Sequence, residues 1–166
     1  MLDYTPAPAH PLRVLFLCTH NSSRSQMAEG LLRTRGGAAF EVFSAGTQPR
    51  NVHPFAIQAM QELGLDISRH TAKGIDSFES LQPMDLVITV CDEAQEACPM
   101  FPGARKQAHW GFPDPSRVTG TEAERLAAFR QVLDLIAVKI TQFLERQPAL
   151  SLEQLYAAAK AEEQET

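Results

Sequence analysis

Two cysteines of this chain stand where an apolar run gives way to polar residues. The first, Cys18, follows LRVLFL and opens Cys18-Thr19-His20-Asn21-Ser22-Ser23-Arg24-Ser25, a cysteine and an arginine with five residues between them. A cysteine thiolate is a strong nucleophile, and a guanidinium can fork two donors onto two oxygens, which an ammonium cannot. A loop of this length before a helix can curl the N–H groups of Thr19, His20, Asn21, Ser22 and Ser23 around a tetrahedral oxyanion. The helix dipole adds positive potential at the same place, and that potential also favours the Cys18 thiolate. Ser25 is placed to donate a hydrogen bond to the sulfur. Asn21 is placed to brace the loop, because asparagine tolerates left-handed backbone. The chemistry this pattern fits is nucleophilic attack by Cys18 on the central atom of a small oxyanion held by Arg24 and the loop.

An oxygen displaced in that attack leaves poorly unless it is protonated. Asp114, in His109-Trp110-Gly111-Phe112-Pro113-Asp114-Pro115, is the candidate acid. Asp-Pro is also a common turn opener, and the loop around Cys18 is what turns the reading towards an acid. The second apolar run, DLVITV, ends at Cys91, and Cys98 follows after a polar, helix-capable stretch of six residues, with Pro99 behind it. As a helix, that stretch would hold the two cysteines roughly 10 Å apart. A disulfide needs Cα atoms within about 7 Å, so bridging would demand a local conformational change. A zinc site would want four ligands. His109 is the nearest further candidate and a fourth is not evident, so neither a metal nor another cofactor is expected.

The elements that must position these residues alternate. Residues 12–17, 40–45 and 85–90 read as strands, with a weaker fourth within 106–110. Residues 24–35 and 54–63 read as helices, and a capping box at Thr121 and Glu124 opens the longest one. Its stripe of Leu126, Phe129, Leu133, Ile136, Ile140 and Phe143 keeps a helical period up to Pro148. From Ser151 a small amphipathic helix fades into an acidic tail over 162–166. Alternating strands and helices imply right-handed crossovers. The predicted fold class is therefore α/β: a single-domain three-layer sandwich, a four-stranded parallel sheet with helices on both faces. Ligands bind beyond the carboxyl ends of such strands, where Cys18 and Cys91 both sit. The expected division is an extension over 1–11, the catalytic domain over 12–147 and a helical tail over 148–166.

Composition bounds the partners. The chain has 166 residues, room for one domain, and its net charge of −5 gives no general attraction for nucleic acid or an anionic membrane. No run of about 18 apolar residues could span a bilayer, and no signal-peptide pattern opens the chain. Three cysteines without an export signal point to the cytoplasm. A monomer is expected.

The stretch VLFLCTHNSSRSQMAEGLLR resembles the signature of low-molecular-weight protein tyrosine phosphatases and of the arsenate reductases that share their fold. The block VITVCDEAQEACPM, with HWGFPDP after it, is similar to the thioredoxin-coupled arsenate reductases, both cysteines included. The resemblance runs from about residue 13 to 143. It implies a relay in which Cys18 attacks arsenate with Asp114 assisting, and Cys91 then attacks Cys18 to release arsenite. Cys98 next attacks Cys91, and thioredoxin or a similar dithiol reopens the Cys91–Cys98 bridge. Phosphate would bind as an analogue. The alternative within the same resemblance is a phosphatase that hydrolyses phosphomonoesters through Cys18 and has no use for the later cysteines. Phosphatases of this fold usually carry aromatic residues just after Asp-Pro, whereas Ser116-Arg117-Val118 stands here, which favours a small oxyanion.

Some relatives hold a monovalent cation near the loop with residues matching Asn21, Glu29 and Ser44 and an aspartate. Lys73 falls where that aspartate would be, either as an ammonium that replaces the cation beside Glu29 or as a solvated loop charge. His20 is read as an exposed loop residue. His109 and Trp110 are read as packing beside the acid loop.

Overall fold

The computed structural model describes residues 10–81, 83–92, 98, 100–146 and 151–163. Most of the N-terminal extension, residues 93–97 between the cysteines, Pro99, the break at Pro148 and the last residues of the acidic tail lie outside the described residues.

Four strands form one parallel sheet: β1 (Leu12–Cys18), β2 (Phe40–Gly46), β3 (Met84–Thr89) and β4 (Ala104–His109), in the order β2-β1-β3-β4. The helices are α1 (Arg24–Gly36), α2 (Pro54–Glu62), α3 (Glu122–Glu145) and α4 (Leu152–Glu163). The β1 and β3 runs are apolar almost throughout because both strands are central and covered on both faces. Cys18 pairs with Gly46 at the end of β1, and Val90 N–H donates to Leu17 O at 3.0 Å. Cys18 and Cys91 therefore leave neighbouring strands at the same edge.

Alternation along β1 divides the core. Val14, Phe16 and Cys18 join the larger cluster with Met27 and Leu31 of α1, Met60 of α2, Phe129 and Ile140 of α3, and Leu155 and Ala159 of α4. Leu15 and Leu17 face a smaller one with Val87, Phe78 and Phe101. The helical cover is thus uneven. All four α-helices feed one cluster, while the second is closed by a 3-10 helix, Ile75–Leu81, and the segment around Phe101. In Ile75–Leu81, Phe78 supplies the buried contact and half-buried Ile75 packs beside it.

α3 opens as the capping box requires, with Thr121 Oγ1 accepting from Glu124 N–H at 3.1 Å. The C-terminal segment, set apart as a tail in the sequence reading, packs into the main core. Trp110, buried against Phe16 and Phe143, donates Nε1–H to Ala159 O at 3.0 Å. Glu162 is fully buried and takes Arg146 Nε at 2.7 Å, the partner that a buried carboxylate needs. No helix among the described residues is long and apolar enough to cross a membrane.

Candidate active site

The turn between β1 and α1 is fastened from outside. Thr47, Gln48, Arg50 and His53 donate their backbone N–H groups to the carbonyls of Cys18, Thr19, His20 and Ser22 at 2.8–3.3 Å. With those carbonyls engaged outward, the loop's N–H groups are left to its concave side, and Asn21 N–H donates to Cys18 Sγ at 3.2 Å. Gly46 makes this docking possible, since a Cβ there would stand 2.5 Å from Thr19 O and 2.8 Å from Asn21 N. α1 has neither a capping side chain nor an acidic residue in its first turn, so no carboxylate competes for its N-terminus.

Asn21 does bracing work. It holds φ at +50°, a left-handed conformation that few side chains accept without cost. Its side chain donates to Ser25 Oγ at 2.8 Å and accepts from Gln26 Nε2 at 2.9 Å and Lys73 N–H at 2.8 Å. Ser25 Oγ stands 2.9 Å from Cys18 Sγ, so one hydroxyl touches both the sulfur and the brace. Cys18, Asn21, Arg24 and Ser25 are all buried.

Arg24 donates Nη1–H to Phe112 O at 3.2 Å and sets Nη2 3.6 Å from Asp114 Oδ2. Asp114 Oδ1 accepts from Ser116 N–H at 2.9 Å and Ser116 Oγ–H at 2.7 Å, capping the 3-10 helix Pro115–Arg117. Turn opener and acid are therefore compatible readings: one carboxylate oxygen shapes the turn and the other faces Arg24. Cys18, Arg24 and Asp114 line a common cleft of about 350 Å³ with His20, Ser22, Ser23, Arg50, Asn51, Val52, His53, Pro54 and Ser116.

The wall from Arg50 to His53 was not foreseen. The signal for it lay in the topology, because a parallel neighbour of β1 must deliver its own loop to the same edge. His53 accepts from Phe55 N–H through Nδ1 at 3.0 Å and packs on Phe129 with ring centroids 4.4 Å apart. Burial, and after it the Arg125 charge, hold His53 below its ordinary value, with Asp114 pulling the other way. His20, expected to be exposed, is half-buried in the cleft lining and donates Nδ1–H to Gln48 O at 3.1 Å.

Beneath the loop, buried Glu29 accepts from Ser44 Oγ at 2.8 Å and faces Arg33 at 3.1 Å, His70 at 3.3 Å and Lys73 Nζ at 3.9 Å. Lys73 Nζ also donates to Thr71 O at 2.7 Å. Asn21, Glu29, Ser44 and Lys73 thus form one connected group. Burial lowers the Lys73 pKa, and Glu29 partly opposes that.

Cys91 and Cys98 form a disulfide with Cα atoms 5.8 Å apart, while Cys18 is a free thiol. A ring nitrogen of His109 and the two sulfurs lie within 4.8 Å of one another. Among the described residues these three donors, two of them joined in a disulfide, are fewer than the four that zinc takes.

Comparison with known proteins agrees with this geometry. Residues 13–156 match the family model of the low molecular weight phosphotyrosine protein phosphatases, whose span runs beyond Pro148 into α4. The arsenate reductase of Halalkalibacterium halodurans is 46% identical over 132 residues, covering 80% of this chain and 94% of that protein. A solved arsenate reductase in its phosphate-binding state is 31% identical with a TM-score of 0.68, covering 81% of this chain and 97% of the other. A thioredoxin-dependent arsenate reductase of Corynebacterium glutamicum is 29% identical with a TM-score of 0.52, over 80% of this chain and 63% of the other. The fold, the cysteine–arginine loop and these likenesses place the chain in the low molecular weight phosphotyrosine protein phosphatase family, where its curated relatives are arsenate reductases.

Proposed function

We propose that this chain reduces arsenate to arsenite by a three-cysteine relay and that a dithiol protein of the thioredoxin type regenerates it. The observation that carries the reading is the Cys91–Cys98 disulfide at the sheet edge where Cys18 stands free in an oxyanion loop. Hydrolysis of a phosphoester through Cys18 would need neither of the other two cysteines. The likeness to arsenate reductases supports the oxyanion, and the thioredoxin-dependent relative supports the class of donor.

In the first step the Cys18 thiolate attacks arsenic, Asp114 protonates the departing oxygen, and water leaves. Arg24 and the N–H groups of Thr19 to Ser23 hold the remaining oxygens, and Ser25 steadies the sulfur before attack. Cys91 next attacks Cys18 sulfur. The S–S bond forms as the S–As bond breaks, and its electron pair stays on arsenic, which departs as arsenite. Cys98 then displaces Cys18 from Cys91 by thiol–disulfide exchange, leaving the bridge seen here. A dithiol donor reopens it and is itself oxidised. The Lys73 ammonium beside Glu29 takes the place of a monovalent cation under the loop.

The deciding experiment incubates the reduced protein with arsenate and no reductant, then maps disulfides by mass spectrometry against a phosphate control. A Cys91–Cys98 bridge with arsenite equimolar to chain is the expected result. Three free thiols and no arsenite would refute the relay. They would favour the second reading, a phosphomonoesterase, which rests on the Cys18, Arg24 and Asp114 set alone.

A further inference from the structure

We propose that His109 is the proton carrier of the Cys91–Cys98 pair, accepting the proton of the attacking thiol and returning it to the leaving thiolate. The inference rests on the reading of that pair as redox-active.

His109 ends β4, whereas Cys91 follows β3 and Cys98 lies on the connection between those strands. Pairing of Thr89 with His109 brings all three together, with a ring nitrogen and both sulfurs within 4.8 Å. That spacing is spanned directly or through one water once the disulfide opens. Trp110 is sealed in the core, whereas His109 is half-buried beside the cysteines.

The ring is also oriented. Nδ1 lies 2.7 Å from Thr89 Oγ1, and that hydroxyl donates to Ala108 O at 3.4 Å. That short contact holds the plane of the ring whichever of the two atoms donates. A Cβ on Gly111 would stand 3.3 Å from His109 Nε2 and 3.7 Å from Cys91 O. The Nε2 edge thus faces the Cys91 backbone across a residue with no side chain. α4 secures the base of the ring, because Glu163 accepts the His109 backbone N–H and is paired with Lys160.

Among the described residues, titratable groups beside the ring or adjoining it in the chain include the two cysteines, Glu163 with its partner Lys160, and Asp92. Glu163 accepts from the His109 backbone N–H. Cys91 is buried and Cys98 and His109 are half-buried, so a thiolate formed there without an acceptor is poorly solvated.

The exchange balances. The Cys98 thiol gives its proton to the ring nitrogen near the sulfurs, its sulfur bonds to Cys91, and the Cys18–Cys91 bond breaks. Cys98 is oxidised and Cys18 reduced, leaving as the thiolate that its own loop favours. When an external dithiol reopens the bridge, the imidazolium protonates the cysteine thiolate that leaves, and the dithiol ends as a disulfide.

The test follows reduction of the bridge by dithiothreitol and its closure by oxidised glutathione in the full chain, from about pH 5.5 to 9, with quenched thiols counted by mass spectrometry. Wild type should exceed His109→Gln by roughly tenfold to a hundredfold near neutral pH, with the gap closing as pH rises and the thiols ionise unaided. Added imidazole should restore the rate in His109→Ala. Identical pH profiles for wild type and His109→Gln, or imidazole without effect on His109→Ala, would overturn the proposal. No arsenate is present, so failure of the relay and failure of the His109 assignment give separate results.

Discussion

The oxyanion loop and the cysteine pair share one edge of one sheet, yet they are held by opposite means. Around Cys18, four backbone N–H groups, the Asn21 side chain and Gln26 fix the turn without any covalent link. At Cys91 and Cys98 the notable link is a single covalent bond between residues whose separation in sequence is 7. Preorganised donors are worth most when nothing moves as charge develops. A relay instead needs a site whose bonding changes at every turn of the cycle. On the proposed relay, oxyanion binding and the later thiol exchanges fall to different regions, and substitutions should separate them.

The sharpest break comes from the cysteines. Cys18→Ser should abolish arsenate reduction and also hydrolysis of p-nitrophenyl phosphate, each by more than about a thousandfold. Cys91→Ser and Cys98→Ser should abolish multiple turnovers with a thioredoxin system while hydrolysis through Cys18 persists. Loss of hydrolysis in Cys91→Ser, measured by steady-state kinetics, would show that the two regions are not separable.

Next in size are substitutions within the cleft. Arg24→Lys keeps the charge but loses the fork that reaches Phe112 O and Asp114. It should cost on the order of 10² to 10³ in kcat/KM for either reaction. Asp114→Asn removes the proposed proton donor and keeps a cap for Ser116, so it should cost about 10² to 10⁴ in kcat with KM little changed. An effect confined to KM would move Asp114 from proton donor to turn former.

The loop was legible in the sequence because its chemistry is local: strand, cysteine, hydroxyls, arginine and helix follow one another without interruption. The strand order was not legible, yet the parallel class sufficed to bring Cys18 and Cys91 to one edge. Arg50 to His53 escaped because their place depends on β2 lying beside β1 and on the missing Cβ of Gly46. His109 was taken for a packing residue because its nearness to two sulfurs comes from β3–β4 pairing and leaves no mark in the spacing. The C-terminal helix reads in the sequence as a small amphipathic segment set apart as a tail, whereas Trp110 and buried Glu162 tie it to the core.

A smaller effect concerns stability at the cleft wall. Burial, then Arg125, keeps the folded His53 pKa below its ordinary 6.5. The unfolded chain therefore takes up the proton first. The stabilisation from a neutral His53 is complete above about 6.5 and fades as pH falls through the folded value. His53→Asn retains a cap for Phe55 N–H and removes this titration. Its melting temperature should fall less than that of wild type between about pH 7.5 and 5.5, by roughly 1–3 °C. Parallel curves would assign the acid loss elsewhere, His70 being next because burial lowers it too.

The smallest expected effect is the one that tests how the loop is supported from below. Asn21 Oδ1 accepts from Lys73 N–H at 2.8 Å, and Lys73 Nζ lies 3.9 Å from Glu29 Oε1, which Ser44 also holds at 2.8 Å. If this ammonium serves where relatives place a monovalent cation, wild type should melt within about 1 °C in potassium or sodium chloride of equal strength. Lys73→Asp removes the built-in charge and sets a carboxylate near Glu29, so a potassium ion would be drawn in to separate the two. That variant should be less stable in sodium chloride and regain a few degrees in potassium chloride, because a ligand that binds only the folded state stabilises it by mass action. The Michaelis constant for arsenate should follow, since Asn21 links Lys73 to Ser25 and thus to Cys18. A wild type that potassium stabilises would mean that Lys73 is a solvated loop charge and that the oxyanion loop rests on a cation after all.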